Sequence, residues 1–198
     1  MTLRELIQAV RDEAHDPYGS RWSDSTITRY LNDAQIDIAR DTRRLYGWQY
    51  DVEAGTEYVT KPSDLLVPKY VYFDIPNGNR LQLYFTNEYP PADLLGVPQK
   101  ICVVGNYYYF FPKPNTSGKL ILMGVRRPVA MVSDTDVPEL EDADSVLVAY
   151  AVWQCYLSDG DLMAQVWENH YRQRRGEWLV FDAMRNPVTD VIEREWWD

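Results

Sequence analysis

The sequence predicts an α+β protein: a helical bundle of two N-terminal helices and a C-terminal helical hairpin, with an inserted antiparallel β-meander. Three observations predict it. Apolar residues recur at spacings of three and four in the first 45 residues, the mark of helices with one buried face. From about Gln49 to Val129 the pattern changes to short β-prone runs separated by turn residues. Helical periodicity then returns, beginning with the strongly apolar stretch Ser145–Leu157. The expected parts are residues 1–48 (helical), 49–130 (β-rich insertion), 131–186 (helical hairpin) and 187–198 (a C-terminal tail).

Taken in order, Leu3, Leu6, Ile7, Val10 and Ala14 form one helical face, and the Pro and Gly of His15–Ser20 end that helix. Ser23 is a good N-cap for the next helix, and Asp24 adds a favourable first-turn charge. Trp22 can staple onto Ile27. Ile27, Tyr30, Leu31, Ala34 and Ile38 make the buried stripe, with the helix expected to reach about Leu45 and to end at Tyr46-Gly47. Strands are expected at Tyr58-Val59, from Val67 to Ile75 and from Leu81 to Phe85. The last two are joined by a turn at Pro76–Asn79. Pro90, Pro91, Gly96 and Pro98 mark residues 86–98 as a loop. Gly105-Asn106 between Ile101–Val104 and Tyr107–Phe111 is a hairpin turn, and the turn Pro112–Gly118 leads to a strand from Leu120 to Val125. A polar connector, Ser133–Leu140, precedes helices over about 142–157 and from just after Ser158-Asp-Gly-Asp161 to about Met184. Their short junction makes them an antiparallel pair. Asn186-Pro187 stops the second.

The charge is unevenly spread. Residues 1–130 hold 15 Lys and Arg against 15 Asp and Glu, whereas residues 131–198 hold 5 against 15, the whole of the net −10. A pI of about 4.7 argues against nonspecific nucleic-acid binding, which needs cations on phosphates. Cys102 and Cys155 lie in apolar segments and read as small buried hydrophobes of a reducing compartment. The first residues lack the apolar core of a signal peptide, and no apolar run approaches the roughly 20 residues of a membrane span. Synthesis in the cytosol and no membrane association are therefore expected.

No catalytic, cofactor or metal site is expected. His15 and His170 have no partner at ligand spacing, and no Gly-rich loop opens a helix. The acidic residues between Asp134 and Asp144 lack the central Gly and terminal Glu of a calcium loop and suit solvation and helix N-terminal charge better. Two aromatic elements suggest contact with other molecules. The run Tyr107, Tyr108, Tyr109 is either a strand covered on both faces or an exposed face that docks a neighbour or a glycan. The apolar tail residues Val191, Ile192, Trp196 and Trp197, beyond the Pro187 stop, either fold back on their own domain or anchor in another chain, and the anchor is favoured.

The order of these blocks carries a resemblance. It rests on Arg21-Trp-Ser-Asp-Ser-Thr-Ile-Thr-Arg-Tyr-Leu-Asn-Asp-Ala-Gln35, on Tyr108-Tyr-Phe-Phe-Pro-Lys-Pro114, on Arg126-Arg-Pro128, on Asp134-Thr-Asp-Val-Pro-Glu-Leu140 and on the hairpin from Val148 to Asp161. Over most of residues 1–180 the chain resembles the head–tail connector proteins of tailed bacteriophages, also called adaptor or head-completion proteins. The resemblance implies a structural, non-enzymatic virion component at the head–tail interface. Such proteins commonly form a ring of twelve under the portal protein, extend the channel through which genomic DNA passes without specific binding, and dock the tail tube or nozzle protein. It implies that the tail around Trp196 and Trp197 anchors on the portal. The alternative is an aromatic-rich glycan- or protein-binding module of a phage tail or cell surface.

Overall fold

The computed structural model describes residues 1–76, 78–88 and 94–186. They fall into a helical unit, formed by residues 1–43 together with 127–186, and a β unit, within residues 44–126.

In the helical unit, α1 (Leu3–Glu13) and α2 (Asp24–Ala39) are followed by α3 (Asp144–Ser158) and α4 (Met163–Arg185). α1 starts with a capping box. Thr2 Oγ1 accepts from Glu5 N at 3.4 Å, and Glu5 Oε2 accepts from Thr2 N at 2.8 Å. These bonds hold the Glu5 carboxyl below its usual range. Leu3, Leu6, Ile7, Val10 and Ala14 are all buried, as the spacing predicts. Ser23 caps α2 by accepting from Thr26 N at 3.2 Å. Trp22 is buried against the edge of Tyr156, at 5.8 Å between ring centroids.

α2 ends earlier than the periodicity suggests. Asp41 and Thr42 are weak helix formers, and the Thr42 hydroxyl donates back to Ala39 O at 2.9 Å. Tyr46-Gly47 therefore opens the first strand instead of closing the helix. α3 packs against all three other helices. That is why its sequence is apolar nearly all round, with Val146, Leu147, Val148, Ala149, Ala151, Val152 and Cys155 buried. α4 turns one face inward, presenting Ala164, Trp167, Tyr171 and Trp178.

The acidic connector is a structural strap. Carbonyls of Asp136 and Asp134 accept from Leu3 N (2.7 Å) and Arg4 N (3.1 Å), satisfying amides at the start of α1. Asn32 pairs with both backbone groups of Met131, at 3.0 and 2.9 Å. Gln35 Oε1 accepts from Glu139 N at 3.0 Å. Asp136 accepts from Val132 N and Ser133 N, which lowers its pKa.

The β unit contains strands β1 (Tyr46–Val52), β2 (Tyr58–Thr60), β3 (Leu65–Ile75), β4 (Asn79–Thr86), β5 (Leu95–Gly96), β6 (Lys100–Val104), β7 (Tyr107–Phe111), β8 (Lys113–Pro114) and β9 (Gly118–Arg126). Seven of them form one sheet in the order β1-β9-β3-β4-β6-β7-β2, and β5 pairs with β8. The expected hairpin is present: β6 and β7 are antiparallel, with Val104 opposite Tyr107 and Gly105 at φ +57°.

The expected fold, a helical bundle with an inserted antiparallel β-meander, is corrected by this sheet. β4 and β6 run parallel. β9 does not return beside β7 but crosses to lie between β1 and β3. The physical reason lies in two segments. The residues leading out of β7 are diverted by Pro112 and by the pairing of β8 with β5, so no tight hairpin can form. β9 in turn is buried at Leu120, Ile121, Leu122, Met123 and Val125, the near-continuous apolar run of a central strand.

The two edge strands, β1 and β2, both feed one core through Val52 and Val59. There they meet Phe73, Leu83, Ile101, Phe110, Leu120 and Leu122. The sheet thus curls into a nearly closed barrel around its own core, and the fold is far richer in β-structure than a bundle with a small insertion. Two devices fit it together. Gly124 lies where a Cβ would stand 2.4 Å from Val67 O, beside the irregular β3–β9 register. Asp74 and Arg80, directly opposite on β3 and β4, make a two-pronged ion pair at 2.7 and 2.8 Å.

Candidate interaction surfaces

β7 alternates, as a strand must. Its inward residues, Tyr108 and Phe110, are fully buried. Tyr108 packs near Phe85, at 6.4 Å between ring centroids. Burial, with the neighbouring Tyr50, pushes its hydroxyl up to about 12. Of the three tyrosines expected to dock a partner, this one is placed in the barrel core. Tyr107 is 41% exposed and Tyr109 half-buried, both on the outer face.

The pairing of β2 with β7 sets Tyr58 opposite Tyr109 and Thr60 opposite Tyr107. Tyr58, 45% exposed, then lies 4.8 Å from Tyr107 and 5.2 Å from Tyr109, with Tyr107 and Tyr109 6.4 Å apart. Val104, opposite Tyr107 on β6, is exposed beside them. The result is a tyrosine triangle on a strand pair at the sheet edge. Tyr58 is the member that sequence reasoning did not single out. Its signal is the alternation Tyr58-Val59-Thr60, which puts Val59 in the core and Tyr58 outside, but only the register supplies its partner.

The tail residues Val191, Ile192, Trp196 and Trp197 lie outside the described residues. The cysteines are free and buried. Burial, with Asp159 nearby, pushes the Cys155 thiol up to about 12, which removes nucleophilic thiolate at neutral pH. His170 rests against the Trp167 ring at 5.3 Å. No group of three or more His, Cys, Asp or Glu among the described residues is placed to hold a metal ion. No helix among them is long and apolar enough to cross a membrane.

The units differ in charge. Residues 1–43 and 127–186 hold 11 Lys and Arg against 19 Asp and Glu, whereas residues 44–126 hold 8 against 7. Much of the acid is internally paired: Arg21 with Asp159 (2.8 Å), Arg4 with Asp134 (3.6 Å), Arg172 with Glu168 and Arg185 with Asp142 (both 2.5 Å). Asp12, Glu13, Asp33, Glu141 and Glu177 have no ion pair among the described residues and supply uncompensated charge.

The chain thus offers an exposed tyrosine cluster, an acidic helical body and two buried cysteines. A comparison with curated proteins finds no match. The family model described as SU10 adaptor protein matches residues 1–190, and the chain belongs to that family of phage head–tail adaptors, structural components of the virion.

Proposed function

We propose that this protein closes into a ring, of twelve copies, between the portal and the tail of a phage virion. The ring extends the channel for genomic DNA and docks the tail tube or nozzle. The observation that carries this reading is the charge segregation: a helical unit with a surplus of eight carboxylates repels phosphate, so DNA slides past without being gripped. Residues 187–198, through Val191, Ile192, Trp196 and Trp197, anchor the ring on the portal, and the outward tyrosines Tyr107 and Tyr109 contribute to docking a neighbour.

Native mass measurement of the full chain, alone and with portal protein, tests this. A closed oligomer that requires or tightens with portal is expected, and a strict monomer in both conditions overturns the ring. Removal of residues 187–198 is expected to weaken portal attachment with the helical circular dichroism unchanged; undiminished attachment overturns the anchor. The exposed Tyr58–Tyr107–Tyr109 triangle favours one second reading, a glycan- or protein-binding module. That reading predicts a monomer that binds glycan through these rings.

A further inference from the structure

A surface of the helical unit is left unused by this reading. Where the C-terminal end of α1 meets α3 and the start of α4, a groove of about 480 Å³ opens. Asp12, Glu13 and His15 line it from α1 and the residues after it, and Tyr156, Met163 and Trp167 from α3 and α4. We propose that this groove receives a cationic side chain, an arginine or lysine, carried on a segment of a partner protein.

Charge complementarity argues for that occupant. Asp12 and Glu13 are exposed and have no ion pair among the described residues. Among the described residues, the hydrogen-bond partner of the Asp12 side chain is the amide of Gln8, which donates to it at 2.8 Å. The nearby cations are engaged elsewhere. Arg11 is buried and held by Asp16 (3.4 Å), by the carbonyl of Trp22 (3.1 Å) and by Asp24. Arg21, whose guanidinium stands 5.6 Å from the Tyr156 ring, is committed to Asp159 and Asp161. The groove therefore keeps a negative field.

Its remaining walls select the kind of cation. The small exposed parts of the buried Tyr156 and Trp167 rings and the Met163 thioether suit the apolar stem of an arginine or lysine better than a hydrated metal ion. Leu157 (52% exposed), Leu162 (92%) and Val166 (44%), at the C-terminal end of α3 and the start of α4, add exposed apolar surface to the same helix ends. Nucleic acid is excluded as the occupant by the sign of the field.

The test uses the full chain, isotopically labelled, with the Trp167 indole signal assigned through Trp167→Phe. The probe is the blocked dipeptide acetyl-Arg-Leu-amide, and its neutral isostere carries citrulline. The arginine probe is expected to shift the Trp167 signal saturably, and the citrulline probe to bind at least about fivefold more weakly. An Asp12→Asn/Glu13→Gln double variant should weaken the arginine probe about tenfold. Its fold should persist, because carboxylates near a helix C-terminus are unfavourable and removing them does no harm. The proposal is overturned by no saturable shift up to about 50 mM, by equal binding of the citrulline probe, or by full binding to a folded double variant.

Discussion

Asp16 is the residue on which the loop between α1 and α2 depends. Its side chain is 2% exposed, and it accepts from Ser20 N (2.8 Å), Ser20 Oγ (2.9 Å), Arg21 N (3.1 Å) and Trp22 N (3.3 Å). It also faces the Arg11 guanidinium at 3.4 Å. Asp16→Ala leaves three backbone amides without their acceptor and a buried arginine short of one carboxylate. Breaking a buried ion pair costs about 3–5 kcal/mol. Arg11 keeps Asp24 and the Trp22 carbonyl, so the lower end, about 3 kcal/mol, is expected. The assay is chemical unfolding followed by helical circular dichroism, with Arg11→Met added to the Asp16→Ala chain. Removing the stranded cation should restore about 1 kcal/mol or more. A loss below about 1 kcal/mol for Asp16→Ala, or no recovery in the double variant, refutes the argument.

The same group sets an acid limit. Burial raises the pKa of Asp16, but the hydrogen bonds from Arg21, Ser20 and Trp22 outweigh it, and the net shift is below 3.8. A carboxyl with a depressed folded pKa contributes stability that is complete above its unfolded value and is lost as pH falls through the folded one. The natural chain should therefore lose stability as pH drops below about 4, and the Asp16→Ala chain should show a flatter profile there.

The other predictions concern the sheet, the helix junction and the tyrosines. Gly124→Ala should cost about 2–3 kcal/mol in barrel stability by chemical unfolding, because its Cβ meets the Val67 carbonyl at 2.4 Å. Leu122→Ala, in the barrel core, should cost about 3–4 kcal/mol in the same assay. Tyr171→Phe should cost about 1–2 kcal/mol in helical unfolding, since the Tyr171 hydroxyl donates to Asp37 beside Arg175. Tyr58→Ser with Tyr107→Ser should change stability by less than about 1 kcal/mol, because both rings are nearly half exposed, while abolishing whatever docks on the triangle.

The helices were legible where their signals are local, although α3 and α4 have no side-chain cap and α2 ends earlier than its periodicity suggests. Ser23 caps α2 and the buried face of α1 follows the 3.6-residue period, both local properties of the chain. The Gly105 hairpin was legible for the same reason. The sheet order was not, because it depends on pairings between distant segments, and β9 gives no local sign that it will pass β7 to join β1 and β3. The one hint was the unbroken apolar run of β9, which fits a central strand better than the last strand of a meander. The tyrosine run was half legible: alternation divides Tyr108 from Tyr107 and Tyr109, but which face is core follows only from closure of the sheet.

The fold also changes the meaning of the charge asymmetry. Along the sequence the acid belongs to the last third. In space residues 127–186 join residues 1–43 in one helical unit, with 19 carboxylates against 11 cations. Many of those carboxylates hold the unit together: Asp16 and Asp24 bind Arg11, Asp37 and Asp41 bind Arg175, and Asp136 ties the connector. These are short-range and partly desolvated, so they survive salt better than the rest. The field that reaches outward comes from the uncompensated groups, among them Asp12, Glu13, Asp33, Glu141 and Glu177. Two of these, Asp12 and Glu13, sit together on the exposed lip of the α1–α3–α4 groove, where their charges add. On the proposed reading, the surplus that would turn phosphate away also offers a basic protein segment a place to enter at that groove.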